Sequence, residues 1–203
     1  MAWKNRRAQL KHLSEGLVKA GALQFGTFSL PDGKESSYYF DLRSLSSYPG
    51  LYSMTAEAVE GLVTKWAAKS DAICGIPITG LVIASPVAIS LKKPLNYTKV
   101  KRAGEREVEG EVRPGWKVAV VDDLTNTGKS ILSSVKAVED EGGEVAHAFV
   151  LIDRLEGARE KLSKEGIALH AVTDVMELSD TLASMELISP ENQKAIVRSV
   201  GRR

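Results

Sequence analysis

The sequence predicts an α/β protein, built on a mainly parallel β-sheet with helices on both faces. Short apolar runs such as "AICGI" and "KVAVV" lack the polar–apolar alternation of half-buried strands, which indicates strands covered on both sides. Segments with helical periodicity separate these runs, the order typical of a parallel sheet. The 203 residues are enough for one domain with a sizeable core, and we find no repeat or low-complexity linker. We therefore expect a single domain spanning residues 1–203.

The N-terminal part of the chain predicts a helix followed by a hairpin. Leucines recur at helical spacing through residues 4–20, and Gly21 stops the pattern. Two short β-like runs then flank the turn Pro31-Asp32-Gly33, which indicates an antiparallel hairpin.

The rest of the chain alternates between helices and strands. Pro49 opens an amphipathic helix, and Ser189-Pro190-Glu191 places an N-cap and a first-turn proline at the start of a C-terminal helix. Between them the predicted order is "AICGI", a helix near 80–91, "LNYTKV", "KVAVV", a helix over 128–141, "VAHAFVLI", a helix near 156–165 and "IALHAV".

Composition argues against several classes of partner. Lys and Arg total 27 against 26 Asp and Glu, so no global basic character suggests nucleic acid. No window approaches the ~18 uninterrupted apolar residues of a membrane span, and the N-terminal stretch lacks the apolar core of a signal peptide. The single cysteine, Cys74, sits in an apolar context and is expected to be a buried, reduced thiol. These features predict a cytoplasmic protein with no membrane partner.

The stretch "VVDDLTNTGKS", residues 120–130, allows two readings. Its last three residues, Gly128-Lys129-Ser130, are those that end a nucleotide-binding P-loop. That motif requires a glycine five residues before Gly128, where the chain has Asp123, a carboxylate in place of bare backbone. The P-loop reading therefore fails on charge and on shape.

The second reading is a site for a phosphorylated sugar. Asp122 and Asp123 follow a buried apolar run, at the strand end where open α/β sheets bind ligands. Adjacent strand residues point to opposite faces, so we do not expect these carboxylates to form an acid/base dyad on one side. They suit hydroxyl groups or a hydrated metal, and the hydroxyl-rich turn 125–130, at a helix N-terminus, suits a phosphate. The pattern predicts a ribose 5-phosphate site; the alternative is an ordinary strand-to-helix turn with two solvated acids.

"VAVVDDLTNTGKS" resembles the thirteen-residue phosphoribosyl-pyrophosphate motif of type I phosphoribosyltransferases. Further segments, in the same order along the chain, are similar to those of orotate phosphoribosyltransferases. They are the N-terminal hairpin "ALQFGTFSLPDGKESSYYFDLR", the diphosphate-side loop "CGIPITGLVIASPVA", the mobile loop "YTKVKRAGEREVEG" and the strand and turn "FVLIDRLEGAREKL".

The resemblance implies the type I phosphoribosyltransferase fold, with residues 1–45 as a hood over the base site. It also implies Mg²⁺-dependent transfer of ribose 5-phosphate from phosphoribosyl pyrophosphate to orotate, in a homodimer with shared sites and Mg²⁺ held mainly by the donor diphosphate. The implied catalytic residues are Lys101, Asp122 and Asp123. The implied donor-binding residues are Ile78, Thr79, Gly80, Lys99, Arg102, Asp122, Asp123, Leu124, Thr125, Asn126, Thr127, Gly128, Lys129 and Ser130. The implied orotate-binding residues are Gln24, Tyr39, Phe40, Asn126 and Arg154.

Several of these residues also have a structural reading. The run from Lys99 to Arg106 reads as an exposed, flexible cationic loop that closes over a diphosphate, or as an ordinary solvated loop. Arg154 suits a carboxylated base, but it could pair locally with Asp153. The aromatic residues of the hairpin could stack on a pyrimidine or belong to the core.

The chain departs from the family pattern at a few positions. Gln24 stands where a lysine is usual, Asn126 where a threonine is usual, and Lys129 replaces a small residue. The mobile loop is shorter, and its usual Arg-Lys start becomes Thr98-Lys99 or Lys99-Val100. Two alternatives therefore stay open: transfer to another base, and a non-catalytic regulator that senses phosphoribosyl pyrophosphate.

Overall fold

The computed structural model describes residues 6–29, 35–101 and 105–201. The helices in these ranges are α1 (Arg6–Lys19), α2 (Pro49–Trp66), α3 (Thr79–Leu91), α4 (Lys129–Asp140), α5 (Ala158–Lys164), α6 (Val175–Ser184) and α7 (Pro190–Gly201), with a 3₁₀ turn at Leu45–Ser47. The strands are β1 (Leu23–Ser29), β2 (Glu35–Phe40), β3 (Ala72–Gly75), β4 (Leu95–Val100), β5 (Arg106–Glu109), β6 (Lys117–Thr125), β7 (Glu144–Asp153) and β8 (Ala168–Asp174). None of the described helices is long and apolar enough to cross a bilayer.

The described strands form a main sheet in the order β5-β4-β3-β6-β7-β8. Strand β3 pairs in parallel with β4 and β6, and β6 pairs in parallel with β7. The predicted mainly parallel sheet is therefore confirmed. Strand β5 is an addition: it returns antiparallel to β4 at the sheet edge, where sequence analysis expected only a loop.

The core lies where α4 and α5 cover the centre of this sheet. Val120 on β6, Val150 on β7 and Ile131 on α4 are all at most 1% exposed and belong to one apolar cluster. Burial of each such side chain stabilises the fold by roughly 1.5–3 kcal/mol. Because the strands are buried on both faces, their carboxyl ends are held firmly in place.

The chain divides into two compact units, and Thr55–Val172, the first, contains most of the main sheet. The second unit joins the N-terminal segment up to Met54 with the C-terminal segment from Thr173. In that unit the β1–β2 hairpin is antiparallel, as predicted, while the turn Pro31-Asp32-Gly33 lies outside the described residues. The hood role of residues 1–45 stays a prediction.

Helix α6, in the second unit, was not expected from the sequence. The Asp174 carboxylate caps it, accepting the backbone N–H groups of Met176 and Glu177 at 2.9 and 2.8 Å. An acidic residue at the N-cap with a glutamate three residues later is a start signal that the sequence does carry. Arg6 of α1 forms an ion pair with Glu177, so the N-terminal and C-terminal helices of this unit are joined.

Candidate active site

The acidic end of β6 lies at the carboxyl edge of the main sheet. The sequence predicted that this strand ends just before the two aspartates. In the structure the strand includes both of them and ends at Thr125. Asp122 is opposite Val150 of β7, and Thr125 is opposite Asp153. The acids therefore belong to a paired strand, which restricts their backbone more than a loop would.

The two acid side chains also contact each other. The Asp123 N–H donates to Oδ1 of Asp122 at 2.9 Å, and a side-chain hydrogen bond joins the carboxyl groups. The Leu124 N–H in turn donates to Oδ1 of Asp123 at 2.9 Å. The two side chains therefore lie closer together than strand alternation suggests, while the expectation that they do not form an acid/base dyad stays a prediction.

Burial raises the pKa of Asp122 well above its usual value, and the charge of Asp123 adds to this rise. Burial also raises the pKa of Asp123, although hydrogen bonds with Asp122, the Leu124 N–H and Thr79 oppose it. Two crowded carboxyl groups of this kind favour a positive charge beside them. The pair therefore suits a cationic transition state or a hydrated divalent metal.

The loop after β3 packs directly against the acid pair. Thr79 is buried, and its hydroxyl donates to the carboxyl group of Asp123. A Cβ atom on Gly80 would lie 2.7 Å from both Cα and Oδ1 of Asp122, so a glycine is needed for this approach. Ile78 is 75% exposed next to them. The structure thus brings the expected diphosphate-side residues to the expected sugar-binding acids.

The turn after β6 leaves the N-terminal end of α4 open. Gly128 is its N-cap with φ +74°, a left-handed conformation that favours glycine, and within the described chain no side chain caps this helix. Its first N–H groups can therefore bind a phosphate. Asn126 Oδ1 is buried without a hydrogen-bond partner in the described chain, and Lys129 is exposed. The other residues of the expected cradle in this turn are Leu124, Thr125, Thr127 and Ser130.

The expected cationic loop is largely a strand hairpin. Lys99 lies in β4 and Arg106 in β5, and the two strands pair in register with Lys99 opposite Glu107. The expectation of a flexible loop throughout this run is wrong, because cross-strand ion pairs stabilise antiparallel pairing here. Arg102 lies outside the described residues.

The lysines of this hairpin already have acidic partners. Lys99 Nζ lies 3.0 Å from Glu107 and also pairs with Glu109. Lys101 Nζ lies 2.6 Å from the same Glu107. Both lysine side chains are about half exposed. Exposed pairs of this kind are weak, so either lysine can exchange its partner for a more highly charged anion.

Arg154 follows β7 at the same edge of the sheet. Arg154 is only 4% exposed, and its backbone N–H donates a hydrogen bond to the Thr125 carbonyl at 3.0 Å. Its guanidinium lies 3.3 Å from Glu156, whereas the carboxylate of Asp153 pairs with Arg159 at 3.2 Å. The local partner of Arg154 is therefore Glu156 and not Asp153.

The hairpin residues expected at the base belong to the second unit. Gln24 is exposed, and its Nε2 donates to the Gly21 carbonyl at 3.2 Å. Tyr38 and Phe40 are buried, and their rings pack edge to face with centroids 5.8 Å apart. Both rings therefore belong to the hydrophobic core, one of the two alternatives considered from the sequence. Tyr39 is half-buried and 5.6 Å from the Phe28 ring, on the other face of β2. The Phe40 ring is therefore not available for stacking on a base.

Comparison with known proteins agrees with this geometry. The family model for the phosphoribosyl transferase domain matches residues 45–174. Orotate phosphoribosyltransferase from Sulfolobus acidocaldarius is 37% identical over 195 residues, which cover 93% of this chain and 98% of that protein. The chain belongs to the orotate phosphoribosyltransferase family.

Solved structures extend the likeness to the fold. Orotate phosphoribosyltransferase from Aeropyrum pernix matches with a TM-score of 0.76 and 36% identity, over 84% of this chain and 99% of that one. UMP synthase from Leishmania donovani matches with a TM-score of 0.86 and 30% identity, over 95% of this chain. The chain spans 42% of that longer protein. The predicted type I phosphoribosyltransferase fold is confirmed.

The site of this orotate phosphoribosyltransferase family member contains contacts that the sequence did not predict. Glu107 pairs with both lysines of the β4–β5 hairpin, and Glu156 pairs with Arg154. Arg106 was assigned to the mobile loop but contacts the first turn of α4. Residues 106–109, "REVE", contain one β-branched residue, Val108, among three charged ones, so the sequence carries little strand signal for β5.

Proposed function

We propose that this protein transfers ribose 5-phosphate from phosphoribosyl pyrophosphate to orotate, giving orotidine 5′-monophosphate and pyrophosphate. One observation carries the proposal. A single sheet edge brings together the acid pair Asp122–Asp123, the loop with Thr79 and Gly80, and the open N-terminus of α4. These parts match the ribose hydroxyls, the diphosphate and the 5-phosphate of the donor.

In this reaction the bond between ribose C1 and the diphosphate oxygen breaks, and the diphosphate leaves with the electron pair. A bond forms between C1 and N1 of orotate, whose N1 proton is released. Positive charge develops at the ribose as the leaving group departs. Asp122 and Asp123 hold the ribose hydroxyls and favour that charge electrostatically, since they are fixed before the reaction starts.

Anion binding completes the donor site. The turn from Thr125 to Ser130 holds the 5-phosphate with hydroxyl and N–H groups. Lys99 and Lys101 exchange Glu107 for the departing diphosphate, and Arg102 is proposed to assist them. This exchange keeps the lysines paired in both states, which limits the cost of desolvating them.

The base is proposed to bind through its carboxylate. Arg154 has the planar guanidinium that pairs with a carboxylate in a bidentate manner, and Asn126 has an amide group with an unsatisfied oxygen. For Arg154 this requires the carboxylate to share the guanidinium with Glu156. The base-binding roles of Gln24, Tyr39 and Phe40 stay predictions, although the buried Phe40 ring does not suit stacking on a base.

Magnesium fits this site as a companion of the donor. No cluster of three or more His, Cys, Asp or Glu in the described ranges could hold a metal by itself. The Asp122–Asp123 pair does fit the usual magnesium arrangement, in which one or two carboxylates act with substrate phosphates and water. When bound, Mg²⁺ neutralises negative charge on the diphosphate and makes it a better leaving group.

The proposed setting is a cytoplasmic homodimer. Ile89 on α3 and Val100 on β4 are 78% and 62% exposed, which is unusual for large apolar side chains and suits a subunit interface. Burial raises the pKa of Cys74 to about 12, so this thiol stays protonated. Cys74 is a free, buried cysteine, and free thiols are usual in a reducing compartment.

The proposal is tested by following the ultraviolet absorbance of orotate after the donor and Mg²⁺ are added. We expect the absorbance to fall, and Asp123→Asn to slow the fall by roughly 100-fold or more, the cost of removing one transition-state charge contact. Asp140→Asn, at the exposed end of α4, is the matched control. A flat trace with orotate but turnover of uracil or a purine base would assign another base. Donor binding in calorimetry without turnover of any base would favour a regulator.

A further inference from the structure

The guanidinium of Arg106 joins three elements beside the donor site. Nη1 donates to Oγ1 of Thr98 on β4 at 3.2 Å, and Nη2 donates to Oγ of Ser130 on α4 at 3.1 Å. Thr98 is fully buried, and its hydroxyl lies 3.0 Å from that of Ser134. Arg106 is thus fixed by strand pairing and by two hydroxyl contacts, in contrast to a residue at the tip of a mobile loop.

Arg106 differs from its cationic neighbours in lacking an acidic partner among the residues that the structure describes. Lys99 and Lys101 form ion pairs with Glu107, whereas no carboxylate of the described chain lies within ion-pair distance of Arg106. A partly buried guanidinium with only neutral acceptors is costly unless an anion neutralises it. Arg106 therefore has charge available for a bound anion.

The position of the Arg106 guanidinium indicates that the bound anion is a phosphate at the N-terminus of α4. Ser130 is the second residue of α4, in the first turn of the helix whose N-terminal N–H groups are open. A phosphate at this helix end would lie beside the Ser130 hydroxyl and hence beside Nη2 of Arg106. The charge of Arg106 also acts on Asp122, against the larger effects of burial and of Asp123. The guanidinium is therefore on the donor side of the sheet edge.

The sequence offers a reason for this arrangement. The family resemblance leads us to expect an arginine at the start of the mobile loop, and the chain has Thr98 at or next to that position. The short Thr98 side chain accepts a hydrogen bond from Arg106, which reaches it from the neighbouring strand. Arg106 of β5 therefore places a guanidinium next to the start of this segment, in addition to the cation Lys99 on β4.

We infer that Arg106 binds the 5-phosphate of the donor together with the first turn of α4, as a fixed cation of this chain's site. The inference rests on the proposed function, because it uses the donor assigned there. Arg106 and Ser130 then act as one clamp: the guanidinium supplies charge and direction, and the helix N-terminus supplies N–H groups.

The test compares two phosphorylated probes in calorimetry. Ribose 5-phosphate carries the 5-phosphate alone, and inorganic pyrophosphate with Mg²⁺ carries the leaving group alone. For Arg106→Gln we expect the Kd for ribose 5-phosphate to rise about 10- to 100-fold, the effect of losing a charged hydrogen bond. The Kd for pyrophosphate should change far less. In steady-state kinetics KM for the donor should rise more than kcat falls, since the contact exists before the reaction and during it.

Arg113→Gln is the matched control, because Arg113 is an exposed arginine paired with Glu111 in the connection after β5. Its binding of both probes should be unchanged. Arg106→Lys keeps the charge but not the forked donors, and we expect an intermediate Kd for ribose 5-phosphate. This variant and Ser130→Ala keep the inference testable if Arg106→Gln does not fold.

The possible results distinguish a failure of the Arg106 assignment from a failure of the proposed function. If the wild-type protein binds ribose 5-phosphate and Arg106→Gln and Arg106→Lys bind it equally well, the inference is overturned and the proposed function stands. An effect on pyrophosphate alone, or an equal loss for both probes, would also overturn it, since either indicates a different role. If the wild-type protein binds neither probe nor the donor, the proposed function itself fails.

Discussion

At the scale of single residues, the site depends on a carboxyl group that the fold holds at an energetic cost. Asp122 is 7% exposed, next to a second carboxyl group. Burial and the Asp123 charge both disfavour its ionised form, and each unit by which a pKa rises corresponds to about 1.4 kcal/mol. Such a group is poorly placed for stability and well placed to stabilise positive charge in a substrate.

This cost predicts how stability depends on pH. Because the pKa of Asp122 is raised in the folded state, that state keeps a proton which the unfolded chain releases near pH 4. The contribution to stability is present at low pH and is lost as the pH rises towards the folded-state pKa. Asp122→Asn should therefore increase the free energy of unfolding at pH 7, and the gain should vanish below about pH 4.

Urea unfolding of the ligand-free protein across this pH range measures the effect. Asp140→Asn, at an exposed position, is the matched control. A less stable Asp122→Asn protein at pH 7 would mean that the carboxylate is stabilised by the fold and would contradict the prediction. Activity should be lost in Asp122→Asn whatever its stability.

At the scale of elements, the site depends on the close approach of α3 to β6. Gly80 is in the first turn of α3, and its backbone touches Asp122 so closely that even a methyl group would overlap. Only packing reveals this requirement. A glycine inside a helical pattern weakens the helix by roughly 0.5–1 kcal/mol relative to alanine, so the sequence by itself would favour replacing it.

Gly80→Ala should lower stability by about 1–3 kcal/mol and strongly weaken donor binding, because the added Cβ forces the helix away from the acid pair. Gly61→Ala is the matched control. Gly61 lies in the interior of α2 with nothing within 4 Å of an added Cβ, so alanine there should stabilise the protein by about 0.5–1 kcal/mol. Thermal unfolding and calorimetry with the donor measure both effects. Equal behaviour of the two variants would argue against the packing explanation.

Elements were predictable where the local pattern was strong. Proline at the start of α2, the apolar runs of β3 and β6, and the periodicity of α4 all led to the right element. Strand β5 and helix α6 were missed for different reasons. Strand β5 is a charged edge strand, stabilised by cross-strand pairs such as Lys99–Glu107, and α6 follows β8 without a loop between them. The pairing of β5 depends on contacts with the neighbouring strand, whereas the local cap at Asp174 marks the start of α6.

At the scale of the whole molecule, the proposed homodimer gives the exposed apolar side chains of α3 and β4 a role. Ile89 is 78% exposed and Tyr97 is 38% exposed. Large apolar groups concentrated on neighbouring elements usually mark an interface. If the β4–β5 hairpin reaches the site of the partner chain, Lys101 and Asp123 of one chain serve different sites.

Mixing two inactive variants tests this arrangement. Lys101→Ala and Asp123→Asn chains, unfolded together and refolded at equal ratio, should recover about a quarter of wild-type activity, because half of the dimers are mixed and each has one complete site. Light scattering should give twice the chain mass of 22.0 kDa. No recovered activity from a mixed dimer would contradict shared sites, and a monomer would contradict the dimer.

The sequence by itself determined the fold class, the position of the acidic strand end and the phosphate turn, and through resemblance the family. These features are local, because each is specified by a short run of consecutive residues: an apolar run, a helix start or stop signal, or a short motif. Tertiary structure alone decided that the two acid side chains meet, that Gly80 touches Asp122, and that Arg106 reaches Ser130 from another strand. Such contacts join residues far apart along the chain or depend on how neighbouring side chains fold back. They follow from packing and burial, which no local pattern specifies.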